Sequence, residues 1–160
     1  MDKNEKRAAA AEFDAICAAL DSRGWSYEKD KDTFSVAFTS NGTEMPLSIA
    51  LKVNPELMTV SVYVIPPLET PEGKEEDFAV ATALINDGIV HGNFDYDKKE
   101  RRMIFRMSTS YRDSTLDNDV YFYLIGAAFS TVDSVAPTIK ALCDGKLTVE
   151  QIITAIARGE

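Results

Sequence analysis

The sequence predicts an α+β fold: one antiparallel five-stranded sheet packed by helices, in the order α-β-β-β-α-β-β-α plus a terminal helix. Three observations carry this. Apolar residues recur at helical spacing near the N-terminus and in later stretches. Three alternating apolar/polar segments lie between the first two helical stretches, joined by turn signals. Two more alternating segments follow the second helix around a short charged turn. Strands with one apolar and one mixed face, joined by short turns, argue an antiparallel meander with one face covered.

The first helix is expected from about Asn4 to Arg23, with Phe13, Ile16, Cys17 and Leu20 on its buried face. Gly24 suits the exit because glycine accepts a left-handed backbone. Phe34, Val36 and Phe38 alternate with Ser35, Ala37 and Thr39, and Ser40-Asn41-Gly42 marks a tight turn. Leu47, Ile49, Leu51 and Val53 then alternate with Ser48, Ala50 and Lys52, and Asn54-Pro55 begins another turn. The third strand carries Val60, Val62 and Val64 on one face and Ser61, Tyr63 and Ile65 on the other. Tyr63 and Ile65 make that second face partly apolar, which hints at a second contact such as another subunit.

The loop Pro66-Pro67-Leu68-Glu69 ends the meander. Thr70 is expected to cap a second helix, with Pro71 at its first position and the acidic run Glu72 to Asp77 at its positive end. Phe78, Ala81, Ile85 and Ile89 share a face of this helix, with Leu84 beside them. Its expected end is Gly92, with Gly88 as the alternative stop. A hairpin follows, in which Asp97 faces Arg102, Tyr96 faces Met103, Phe94 faces Phe105 and Asn93 faces Arg106. This register gathers the aromatic and Met side chains and pairs Asp97 with Arg102 on the wet face. A third helix starts near Ser114, where Ser114-x-x-Asp117 resembles a capping box. Its body, VYFYLIGAAFSTV, is apolar on most sides, so burial on two sides is expected. Pro137 should kink or break it, and Gly145 ends it. Thr148-x-x-Gln151 opens a short terminal helix with Val149, Ile152, Ile153 and Ile156 on its apolar face.

At 160 residues, the chain is read as one domain, with a core over about 11–139 and a helical extension over 140–160. A net charge of -9 repels phosphate backbones and anionic membranes, so no nucleic-acid or membrane partner is expected. MDKNEKRAAAAEF has charges but no apolar signal region, and the longest nearly apolar run, Tyr121 to Phe129, is too short to span a bilayer. Two cysteines make no disulfide framework, and a cytoplasmic location is expected.

The segment Leu84 to Arg106, LINDGIVHGNFDYDKKERRMIFR, is the most specific part of the chain. Leu84, Asn86, Gly92, Phe94, Asp97, Phe105 and Arg106 give a helix-end Leu and Asn, a Gly-x-Phe step, an acidic residue, a turn and an aromatic-Arg step. Together with Gly24-Trp25-x-Tyr27-Glu28, this resembles the YbjN family, over roughly Ala11 to Ile139. The turn Lys98-Lys99-Glu100-Arg101 departs from the glycine-containing turn common in that family. The resemblance implies a fold like that of type III secretion chaperones, a homodimer, and non-catalytic binding of a protein partner.

Chemistry-bearing residues are sparse. His91 with Asp95 and Asp97 is the only His-carboxylate cluster, and a solvated strand face is favoured over a metal site because such sites need more ligands. Cys17 and Cys143 sit in apolar helical patterns and are expected to be inert. Ser108, Ser110 and Ser114 lack a base in their own segment, and no nucleophile elbow or phosphate-binding glycine loop is present. The basic turn Lys98 to Arg102 could meet an acidic partner but reads better as a solvated turn. No catalytic residue, cofactor or metal ligand is therefore assigned. Tyr63, Ile65, Tyr121, Leu124, Ile125 and Phe129 form the candidate interface, a dimer contact or peptide groove, with ordinary monomer core as the alternative reading of the same residues.

The function expected is a non-enzymatic bacterial protein-binding or regulatory module, dimeric, holding a partner segment against an apolar face. A sheet edge could also accept an extended peptide. The first alternative is a secretion-type chaperone in a tight stoichiometric complex with one effector. The second is a metal-dependent enzyme using His91, Asp95 and Asp97.

Overall fold

A computed structural model describes residues 3–112 and 116–158. Helix α1 (Lys3–Ser22) is followed by β1 (Glu28–Asp30), β2 (Ser35–Asn41), β3 (Pro46–Asn54) and β4 (Thr59–Ile65). Then come α2 (Glu75–Asp87), β5 (Asn93–Asp97), β6 (Arg102–Ser110), α3 (Asn118–Cys143) and α4 (Val149–Arg158). The strands form one antiparallel sheet in the order β1-β2-β3-β4-β6-β5. There are six strands rather than five. The addition is β1, whose residues Glu28, Lys29 and Asp30 are all exposed, so no apolar alternation announces it.

One face of the sheet carries Val36, Leu47, Ile49, Leu51, Val53, Val60, Val62, Val64, Phe94, Met103, Phe105 and Met107, all buried. Helices α1 and α3 pack against it. Alternation of period two aims these side chains one way, and burying a large aliphatic or aromatic group contributes about 1.5–3 kcal/mol. The stripe Tyr121, Leu124, Ile125, Ala128, Val132, Ala136, Ile139 and Leu142 of α3 completes this core. By length and composition α3 could cross a membrane, but this stripe is packed inside the fold.

Three hairpin turns share one device. Asp30, Asn54 and Asp97 each accept backbone N–H bonds from the residues two and three positions on. Each turn then closes through a residue with positive φ: Phe34 (51°), Met58 (52°) and Arg101 (48°). Phe34 is therefore a turn residue rather than the start of the second strand. Asp97 faces Arg102 in the expected register, as do the other three pairs. Its side chain, however, caps the turn, while Arg102 reaches Glu100 at 3.6 Å.

Helix α2 starts at Glu75, not at Thr70-Pro71. Thr70 is 1 % exposed, and its backbone N–H donates to the Arg101 carbonyl at 2.6 Å, which ties it to the β5–β6 turn instead. The helix stops at Gly88, the alternative, rather than Gly92. Asp117 caps α3 by accepting from Val120 N at 3.1 Å, while Ser114 lies outside the described residues. The break that Pro137 could have made does not occur, and α3 runs on through this residue to Cys143. Pro137 is exposed, so the carbonyl its missing N–H would have bonded faces the wet side of the helix. Gly145 (φ 68°) ends this helix, and Lys146 N donates back to Ala141 O. The capping box of α4 forms in both directions, Gln151 N to Thr148 Oγ1 at 3.3 Å and Thr148 N to Gln151 Oε1 at 2.8 Å. Helix α4 packs on α2.

Candidate functional site

Among the described residues the helices pack on the sheet face that carries the core, and the opposite face is open. A row crosses all six strands there: Glu28, Ala37, Ala50, Tyr63, Arg106 and Asn93. Ile65 and Ile104 stand beside Tyr63, and all three are half-buried. Next to them Ala37, Thr39, Ser48 and Ala50 are small, and their low profile leaves a shallow trough of about 610 Å³ bounded by Tyr27 and Ile65.

The edges of the sheet differ. Strand β1 pairs only with Ser35–Ala37, so among the described residues Phe38–Asn41 of β2 have a strand neighbour on one side only. At the opposite edge the Asn86 side chain occupies β5: Phe94 N–H donates to Asn86 Oδ1 at 2.7 Å, and Asn86 Nδ2 donates to the Phe94 carbonyl at 2.9 Å. One amide thus satisfies both backbone groups of an edge residue, the pairing another strand would make. The free β2 edge borders the trough.

The residues carrying the family resemblance act structurally. Gly92 has φ 81°, and a Cβ there would lie 2.6 Å from Phe105 Cζ. Phe94 and Phe105 pack edge to face at 5.1 Å. Arg106 pairs with Asp95 at 2.8 Å on the open face, and the carboxylate raises the guanidinium pKa further. Leu84 is half-buried on α2.

The expected interface divides. Tyr63 and Ile65 lie on the open face. Tyr121, Leu124 and Ile125 are buried in the chain's own core, and Phe129 is half-buried on the flank of α3. The helix that reads as apolar on most sides has an exposed stripe through Tyr123, Gly126, Ser130, Ser134 and Pro137. Its core side is buried once, by the sheet and α1.

The His91 group is not assembled as a metal site. Asp95 accepts from Asn93 Nδ2 and Arg106, Asp97 caps its turn, and His91 is exposed. No cluster of three His, Cys, Asp or Glu side chains able to hold a metal ion occurs among the described residues. Ser108 Oγ and Ser61 Oγ bond each other at 2.7 Å, and Ser110 Oγ donates to Met58 O. Burial pushes the Cys143 thiol pKa up, away from the reactive thiolate. The basic turn is partly neutralised by the Arg101–Glu69 pair. Sequence reasoning missed the role of Asn86 as an edge plug, although an Asn in the last turn of a helix just before a strand was a visible signal.

Comparison with known proteins places this geometry. No curated protein sequence matches the chain. The fold resembles the crystal structure of YbjN from E. coli, "a putative transcription regulator", with TM-score 0.59, 12 % identity, and coverage of 80 % of this chain and 89 % of that one. It also resembles a chain of the HopA1-SchA chaperone-effector complex, with TM-score 0.56, 11 % identity, and coverage of 81 % and 93 %. A family profile described as "YbjN: Putative bacterial sensory transduction regulator" matches residues 12–141, and the chain belongs to the YbjN family.

Proposed function

We propose that this protein is a non-enzymatic, cytoplasmic protein-binding module of a regulatory kind, a single YbjN-like domain that works as a homodimer. The observation that carries the reading is the open sheet face: Tyr63, Ile65 and Ile104 beside a trough of small residues, bordered by the free edge of β2. An extended partner segment adds beside Phe38–Asn41, taking affinity from main-chain hydrogen bonds, and its alternate side chains lie in the trough beside Ile65. The plugged β5 edge leaves β2 as the preferred side for strand addition. With a net charge of -9, the partner is a protein rather than a nucleic acid or an anionic membrane.

A second reading, a type III secretion-type chaperone holding an effector segment, is favoured by the likeness to a chain of a chaperone-effector complex. Both readings use the same surface and differ in the partner. Hydrogen exchange on the purified complex tests the site. Slowed exchange at Phe38–Asn41 on partner binding is the expected result. Protection confined to other elements overturns strand addition.

A further inference from the structure

A second recess lies on the helical side of the sheet, remote in character from the open face. Gly24, at φ 67°, ends α1 and sends the chain across the fold. Trp25 then lies against Phe38 at 5.4 Å and Phe122 at 5.7 Å between ring centroids. With Phe129 these side chains wall a cleft of about 270 Å³. Trp25 remains 37 % exposed, so the aromatic wall is open to a ligand.

Two features distinguish this cleft from an imperfectly packed seam. Gly126 lies in its lining in the middle of α3, where glycine costs about 1 kcal/mol relative to alanine. A Cβ at Gly126 would meet nothing within 4 Å, so no close approach demands glycine there, and the small residue keeps the space empty. The second feature is Arg23 at the rim. Its guanidinium carbon sits 4.2 Å from the centroid of the Phe122 ring, which holds the side chain in place. Among the described residues no carboxylate lies within ion-pair distance of it.

We infer that this cleft binds a small amphipathic carboxylate, a single aromatic ring or short acyl chain bearing one carboxyl group. The apolar part lies against the exposed side of Trp25 and Phe129 above Gly126, and the carboxylate meets the Arg23 fork, a planar donor pair suited to two carboxylate oxygens. At about 270 Å³ the cleft lies just below the usual range of small-molecule sites, which restricts it to a ligand of one ring or one short chain. Apolar contact supplies most of the affinity, and the cation selects the acid over its neutral analogue. The inference does not depend on the open sheet face.

Trp25 is the only tryptophan, so its fluorescence reports the cleft directly. Titration with 3-phenylpropionate and with octanoate is expected to give a saturable change, with 3-phenylpropionamide binding about ten-fold more weakly or worse. Arg23→Gln should abolish the difference between acid and amide, and Arg23→Lys should restore part of it. Gly126→Leu should fill the space and remove binding with the circular dichroism unchanged. No saturable response to either acid, equal affinity for acid and amide, or binding that survives in folded Gly126→Leu overturns the inference. So does a response to a peptide with an internal phenylalanine but to neither acid.

Discussion

Asn86→Ala removes two hydrogen bonds, at 2.7 and 2.9 Å, that hold Phe94 at the β5 edge. Phe94 is buried and packed on Phe105, so its backbone cannot turn to water without moving the ring. Each lost bond is worth about 1 kcal/mol net, with more where the Phe94 group stays unsatisfied. Asn86 is half-buried, which lets some water reach the vacated site. The expected loss is therefore about 2–3 kcal/mol, or about 4–12 °C in Tm for a domain of this size. Asn86→Asp keeps the acceptor for Phe94 N–H but loses the donor and sets a carboxylate against the Phe94 carbonyl, so it should be about as damaging. Urea unfolding with the slope held common measures both. Both variants should also associate at high concentration, because the freed edge can pair with a second chain. A loss below about 0.5 kcal/mol for Asn86→Ala, the range of an inert surface change, would refute the edge-plug argument.

Other predictions follow from single contacts. Gly92→Ala forces a Cβ to 2.8 Å from Arg106 O and into the Phe105 ring at positive φ, and thermal melting should show a loss of about 3 kcal/mol or more. A melt within a degree or two of wild type would contradict that clash. Glu12 is 4 % exposed and accepts from Tyr121 Oη at 2.6 Å; burial raises its carboxyl pKa, and the Tyr121 bond only partly opposes this. Because the folded pKa lies above the unfolded one, Glu12 favours folding under acid conditions, and that contribution is lost as pH rises from the unfolded value through the folded one. Glu12→Gln, retaining the acceptor, should gain stability over wild type near neutral pH and lose that advantage in acid; a pH-independent difference in urea midpoint would sink this account. Arg101→Gly relieves a left-handed arginine at the loss of the exposed Glu69 pair, so urea unfolding should find stability unchanged or raised by up to about 1 kcal/mol, and a marked loss would contradict this.

Much of this architecture was legible because its signals are local. The β5–β6 register follows from alternation alone, and the Thr148–Gln151 box and Gly145 stop are short-range chemistry. The failures arise where tertiary contacts decide. Strand β1 is defined by its pairing with β2 rather than by its own residues. Thr70 has the chemistry of a helix cap but is claimed by the Arg101 carbonyl. Pro137 is tolerated because it falls on the exposed side of α3. Tyr63 and Ile65 were readable as a second apolar face, whereas Tyr121, Leu124 and Ile125 looked the same in sequence and went to the core. The cleft was invisible because Arg23, Trp25, Phe122 and Gly126 converge only in the fold. The same holds for the Asp133 clasp, in which α3 accepts Thr43 N–H and Oγ1–H at 2.7 Å each and pins the β2–β3 turn.

The central claim is that the open sheet face joins this protein to another chain. The most direct test is light scattering on the protein captured with its partners from native lysate, beside Tyr63→Lys. The account predicts two 17.7 kDa chains carrying a stoichiometric protein partner, with the partner lost in folded Tyr63→Lys. A lone 17.7 kDa monomer, or a partner held equally by Tyr63→Lys, would contradict it.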